Sequence, residues 1–140
     1  MDAGSWEHFD HDADIGLRAT AASRAEVFEL AGQALTALIT DPATVNAVDT
    51  IEVSCHAPDD AMLLVDWLNA LVYEMATRRM LFCRWHVELD GHTLNARVEG
   101  ETVDRRRHQP VVEVKGATYT ALSFEKNREG NWLAQCVVDV

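Results

Sequence analysis

Acidic and histidine side chains are concentrated near the N-terminus, in the run His11-Asp12-Ala13-Asp14. Asp12 and Asp14 are two residues apart, so both carboxylates would point to one face of an extended strand, although a turn here would separate them. Neighbouring carboxylates repel each other unless a proton or a cation neutralises them. The run therefore predicts either an oxygen-ligand site for a hard divalent cation or a surface turn capped by aspartate side chains.

A second set of oxygens stands at the end of the sequence, where Asp139 and Val140 close an apolar, strand-like run. Asp139 offers a side-chain carboxylate, and Val140 offers its terminal carboxylate and backbone groups. These oxygens would bind a divalent cation if a second segment lay alongside them. Without such a segment, a frayed terminus is the ordinary expectation.

Two basic features allow two interpretations each. Lys115 lies in a strand-like stretch, where lysine is usually an exposed residue that protects a sheet edge, but it could also place a point charge beside a phosphate or a partner carboxylate. The cluster Arg105, Arg106 and Arg107 is typical of a solvated loop, with a phosphate or partner contact as the alternative.

Composition limits the class of protein. The chain has 140 residues with 23 acidic and 12 basic side chains, so its net charge is −11. Such a chain repels phosphate backbones, which argues against stable direct binding of nucleic acid and favours a basic protein partner or bound cations. The length predicts one domain over residues 1–140. Because neither a signal peptide nor a long apolar run is apparent, we expect a cytoplasmic protein with no membrane association.

Two helices are predicted. Ser23 and Glu26 form a capping box that opens a helix over 23–39, which ends before Asp41-Pro42. Acidic residues begin a longer helix over 59–79, and Arg78 and Arg79 end it, which complements the helix dipole at both ends.

The remaining segments have the period-two pattern of strands. We expect strands near 15–19, 48–55, 81–89, 93–98, 111–124 and 131–138, with Asp90-Gly91 as a hairpin turn. Two helices packed on one face of a mainly antiparallel or mixed sheet would bury all of these apolar faces. The predicted fold class is therefore α+β, in two layers.

Familiar catalytic motifs are missing: the sequence has no glycine-rich phosphate loop, no Gly-x-Ser-x-Gly and no His-Glu-x-x-His. These absences point to no familiar enzyme class, and the prediction that the chain is not an enzyme rests on the family resemblance of its motifs. Two other classes stay open. One is a metal-dependent phosphoester hydrolase that uses His11, Asp12, Asp14 and Asp139 as ligands or base. The other is a general chaperone-like binding protein.

Three motifs resemble those of the archease family. The run Trp-Glu-His-Phe-Asp-His-Asp-Ala-Asp-Ile-Gly occupies 6–16, Val-Lys-Gly-Ala-Thr-Tyr occupies 114–119, and Trp-Leu-Ala-Gln-Cys-Val-Val-Asp-Val occupies 132–140. The resemblance runs from Trp6 to the last residue. It departs from the family pattern at four positions, where Asp12 stands for threonine, Gly116 for alanine, Thr120 for histidine and Val140 for isoleucine.

The resemblance implies a function that composition does not. Archeases are accessory proteins of RtcB-type RNA ligases, which join RNA ends in tRNA splicing and RNA repair with GTP and manganese. The family promotes guanylylation and multiple turnover of the ligase. By motif position, Asp14, Asp139 and Val140 would bind a divalent cation such as calcium, magnesium or manganese, with Asp12 as an additional candidate ligand. Lys115 would be needed for activation of the ligase partner.

Overall fold

The computed structural model describes residues 4–140 and confirms the α+β class. The strands are β1 (Ser5–His11), β2 (Asp14–Ala21), β3 (Asp49–His56), β4 (Met80–Asp90), β5 (Thr93–Thr102), β6 (Gly116–Ala117), β7 (Ser123–Lys126) and β8 (Trp132–Asp139). The helices are α1 (Arg24–Ile39), α2 (Asp60–Arg78) and the short α3 (Arg105–His108), and a 3-10 turn spans Pro42–Thr44. None of these helices is both long and apolar enough to cross a membrane.

The strands form two antiparallel sheets instead of the single sheet expected. The first sheet has the order β1-β2-β8-β6, with β7 also paired to β8, and the second has the order β3-β5-β4. Helix α1 packs on both sheets, through β2 and β4, and α2 packs on β3, β4, β6 and β8. The two sheets therefore share one helical layer and one hydrophobic core.

Both predicted helices begin at the expected side-chain caps. Ser23 Oγ accepts a hydrogen bond from the Glu26 N–H (3.2 Å), and Asp59 Oδ1 accepts one from the Met62 N–H (2.8 Å). These oxygens satisfy backbone donors that have no partner within the first helical turn. Helix α2 ends where Arg79 adopts a left-handed conformation (φ 54°).

The two helices meet at Trp67, which has no exposed surface. Its indole N–H donates to the Phe28 carbonyl at 2.8 Å, so the largest buried side chain of α2 is hydrogen-bonded to α1. Phe28 and Phe82 are likewise fully buried, and they place α1 and β4 against the same core.

Two sequence-based expectations need correction. The strand expected over 111–124 is mostly irregular: only Gly116–Ala117 and the start of β7 pair with β8, and Ala121 interrupts the segment with a φ of 53°. In the hairpin of the second sheet, Asp90 still pairs with Thr93, so the turn is Gly91-His92, one residue later than expected. Gly91 has a φ of 59°, which glycine adopts without strain.

Candidate functional site

The register of the first sheet brings the two predicted acidic segments together. His11 pairs with Asp14 across the β1–β2 hairpin, and Ile15 pairs with Val138 across β2 and β8. Asp14 and Asp139 are the next opposing positions on these antiparallel strands. Opposing residues of an antiparallel pair have Cβ atoms about 5 Å apart. His11, Asp14 and Asp139 therefore form a row across three strands, here called the outer-face row.

Alternation along the strands decides which way this row faces. Ile15 and Val138 belong to the hydrophobic core, so the residues next to them, Asp14 and Asp139, project from the opposite face of the sheet. Asp14 is half-buried and Asp139 is exposed. Asp14 and Asp139 thus lie on the same face of the sheet, the face that points away from the helices.

Asp12 lies outside this row. It occupies the two-residue turn between β1 and β2 with a φ of 51°, and its side chain is 95% exposed. Its carboxylate is 3.9 Å from His11 Nδ1. The turn therefore separates Asp12 from Asp14, which was the alternative to a shared strand face, and the role of Asp12 as a ligand stays a prediction.

The next residues on the outer face form a rigid support for the row. The Phe9 ring lies directly over Gly16, where an added Cβ would be 2.0 Å from the ring. The Arg18 guanidinium also lies over this ring, 4.5 Å from its centroid, and forms hydrogen bonds with Glu7 and Gln135. This packing explains in physical terms why a glycine follows Asp14-Ile15 in the opening motif.

Lys115 lies at the same end of the first sheet, next to β8 on the side opposite β2. Its backbone N–H donates to the Asp139 carbonyl at 2.8 Å, and Gly116 pairs with Asp139. Its side chain is exposed and forms no ion pair with the residues that the structure describes. Asn69 of α2 holds this short strand in place, because its Oδ1 accepts the Ala117 N–H at 2.8 Å.

The chemistry of these donors fits a hard cation. Asp14, Asp139 and an oxygen of Val140 supply only oxygen ligands, which suit calcium, magnesium or manganese better than zinc. Within residues 4–140, no three His, Cys, Asp or Glu side chains form a ready-made metal-binding group. The binding of a cation by Asp14, Asp139 and Val140 stays a prediction.

Sequence reasoning missed a second charged group, the Glu101 cluster, made of Glu101, Arg107 and His108. Arg107 donates to both Glu101 oxygens, from Nη1 at 2.6 Å and from Nη2 at 2.8 Å. His108 is fully buried, its Nδ1 accepts the Asp104 N–H, and its Nε2 lies 3.1 Å from Glu101 Oε2. The imidazole therefore carries its proton on Nε2 and donates it to Glu101.

Hydrogen bonds have the largest effect on the pKa of Glu101 in this cluster. The Arg107 guanidinium, with help from the Asn46 N–H, holds the pKa of Glu101 well below its ordinary value, against the opposing effect of burial. Arg107 was expected in a solvated loop together with its two neighbours. All three arginines are exposed, as expected, but Arg107 also forms this ion pair with Glu101.

Comparisons with known proteins agree with the resemblance found in the sequence. The model of the archease protein family (MTH1598/TM1083) matches residues 6–140. The chain belongs to the archease family. The match includes the outer-face row, the segment around Lys115 and the final strand, so all three motifs lie within the region that family members share.

Relatives and a solved structure cover nearly the whole chain. The archease of Pyrococcus abyssi is 34% identical over 139 residues, which are 96% of this chain and 98% of the relative. The archease of Methanosarcina acetivorans is 35% identical, over 96% of this chain and 95% of its own length. The solution structure of Methanobacterium thermoautotrophicum protein 1598 has a TM-score of 0.79 and 26% identity, covering 97% of this chain and 99% of that one. The archease fold is therefore shared along the full length.

Proposed function

We propose that this chain is an accessory protein that activates an RtcB-type RNA ligase, and that a divalent-cation site formed by Asp14, Asp139 and Val140 is required for it. The proposal is supported by membership of the archease family together with one observation. Three motif segments that are far apart in sequence, containing Asp14, Lys115 and Asp139, meet at one end of a single sheet.

The donor chemistry supports the cation site. Two carboxylates on opposing strand positions repel each other, and a hard cation between them would remove that repulsion. A bound divalent cation also supplies positive charge that can neutralise phosphate oxygens. In the proposal, Asp14 and Asp139 hold the cation, Val140 adds an oxygen, and the Phe9 and Arg18 packing keeps β1 and β2 from separating.

Lys115 has a separate role in the proposal. Its exposed ammonium group is free to contact a carboxylate of the ligase or a phosphate of its nucleotide. Its backbone is anchored on both sides, by the Asp139 carbonyl and by Asn69 through Ala117. The lysine therefore stands at a fixed position beside the cation site, where a docked ligase would meet both.

The direct test is RNA joining with limiting ligase, GTP and manganese, with and without this chain. We expect several equivalents of joined RNA per ligase only when the chain is present. Asp14→Ala and Lys115→Ala should each abolish the gain, whereas the matched surface changes Asp49→Ala and Arg128→Ala should leave it intact.

Two outcomes would contradict the proposal. If a competent ligase is unaffected by the chain, the activator role is wrong. If the chain alone cleaves phosphodiesters with manganese, and Asp14→Ala removes that turnover, it is a hydrolase instead. Suppression of aggregation of unrelated proteins that survives Asp14→Ala would identify a general chaperone-like binder.

A further inference from the structure

A long groove lies apart from the outer-face row, between the C-terminal half of α2 and the extended segment 110–114. Its volume is about 830 Å³. Val72, Met75 and Ala76 line one side, with the spacing of a single helix face, and Val112 and Val114 line the other. Val111, on the same segment, is 76% exposed. An apolar groove of this size on a very acidic chain calls for a physical explanation.

The segment that forms the outer wall has unused backbone groups. Among the described residues, its backbone is fixed only at the two ends: the Val111 N–H donates to the Ile39 carbonyl, and the Lys115 N–H donates to the Asp139 carbonyl. Residues 112–114 form no backbone hydrogen bond within residues 4–140. An extended segment with free N–H and C=O groups is a template for pairing with another strand.

Charged side chains also line the groove. Arg79 and Arg105 both line the groove, and their backbones lie near each other, because the Val103 N–H donates to the Arg79 carbonyl. Neither guanidinium has an ion-pair partner within the part of the chain that the structure describes. Glu113 also lines the groove. Two cationic side chains without ion-pair partners favour a ligand that carries carboxylates.

We propose that this groove binds an extended segment of a partner protein, with alternating apolar side chains and a carboxylate at the end that meets Arg79 and Arg105. The segment would pair with the backbone of 112–114 and place every second side chain on the apolar floor, which is the strand-addition mode of peptide recognition. A nucleic acid would use the two guanidiniums but would leave the apolar floor and the free backbone groups without partners. An extended peptide satisfies all three features.

The inference does not depend on ligase activation. Val114 directly precedes Lys115, so a bound strand would end beside β6 and the outer-face row. Binding at the groove would therefore place a partner next to the proposed cation site, whichever protein that partner is. A failure of the ligase assay would leave this proposal standing, and a failure of the peptide test below would leave the ligase proposal standing.

The test uses the full chain and a synthetic, acetylated octapeptide in which threonine and valine alternate for six residues before two glutamates. Amide chemical shifts of the chain are followed by NMR during titration. We expect saturable shifts at Val112, Glu113 and Val114. Binding should weaken about tenfold when the two glutamates are replaced by lysines, because two partly exposed ion pairs together contribute about 1.4 kcal/mol. It should be lost when the threonines and valines are all N-methylated, since no N–H of these residues is then left to pair.

Matched protein variants separate groove binding from general charge effects. The double change Arg79→Asn with Arg105→Gln should weaken the octapeptide about tenfold. Asparagine tolerates the left-handed conformation of residue 79, so the fold is kept, and thermal unfolding checks this. Arg128→Gln, at a distant turn, should change nothing. Equal binding of the lysine peptide, no shifts at 112–114, or self-association of the chain through the groove in sedimentation would each overturn the proposal.

Discussion

Carboxylates occur in two contrasting surroundings in this chain. Glu101 is 8% exposed and accepts hydrogen bonds from Arg107, His108 and the Asn46 N–H, so each oxygen has a partner from the chain itself. Asp14 and Asp139 lie on the same outer face of the first sheet, and Asp139 forms no side-chain hydrogen bond or ion pair within residues 4–140. Glu101 thus has partners within the chain for its charge, whereas Asp139 has none among the described residues.

This difference in partners distinguishes charges that stabilise the fold from charges that are available to bind a ligand. A buried carboxylate is tolerated only when every oxygen is satisfied, and removing one member then exposes the others to an unfavourable environment. Two like charges on one sheet face contribute little to folding and repel each other unless something that binds neutralises them. The Glu101 cluster should therefore control stability, and the outer-face row should control ligand binding.

The largest effect is expected for Glu101→Gln. This change removes the charge that Arg107 and His108 share while keeping the shape of the side chain. We expect the free energy of unfolding in urea to fall by about 2 kcal/mol, the loss typical of a hydrogen-bonded buried charge. Glu99→Gln is the control, because Glu99 only faces the exposed Arg84 at 3.5 Å, and it should change stability by no more than about 0.5 kcal/mol. Equal losses for the two variants would contradict the structural role.

The same cluster predicts how stability depends on pH. Because Arg107 and its neighbours depress the pKa of folded Glu101, the stabilisation is complete above the pKa of the unfolded chain and is lost as the pH falls toward the folded pKa. Between about pH 5 and pH 3, the parent should therefore lose more stability than Glu101→Gln does. Urea unfolding at several pH values measures both slopes. Parallel curves would show that Glu101 does not carry this dependence.

The starts of the helices and the β4–β5 turn could be predicted because each depends on residues that are close together in the sequence. The caps at Ser23 and Asp59 and the glycine of the β4–β5 turn each fix a boundary through a nearby contact. The strand expected over 111–124 failed because its valines line a groove instead of pairing, with Pro110 before them, and pairing begins only at Gly116. Alternation alone does not distinguish these two outcomes.

The charged sites depended on long-range information. Asp14 and Asp139 were linked through family motifs, and their opposition follows only from the register of β2 and β8. The Glu101 cluster left no sequence signal: Glu101 looks like any strand residue, and Arg107 looks like part of a solvated run. The turn of α3 is what folds Arg107 and His108 back onto Glu101.

A smaller effect is expected where α2 supports the edge strand. Asn69→Ala removes the acceptor for the Ala117 N–H, which should lower the free energy of unfolding by about 1 kcal/mol. Because Ala117 follows Lys115 by two residues, hydrogen exchange at 115–117 should also become faster. Asn95→Ala, which loses only an exposed contact with Ser54, is the control. Unchanged exchange at 115–117 would show that the pairing of β6 with β8 is sufficient to hold this edge.

The smallest effect on the chain alone is expected in the outer-face row. With EDTA present, Asp139→Asn should leave the free energy of unfolding within about 0.5 kcal/mol of the parent, or slightly raise it, since a repulsion is removed and no buried contact is lost. Calcium should then separate the two proteins. A cation at a hundred times its Kd stabilises a folded chain by about 2.7 kcal/mol, so the parent should gain this amount while the variant gains little. Equal calcium gains for both proteins would place any cation elsewhere, and the open carboxylates would then need another ligand to explain them.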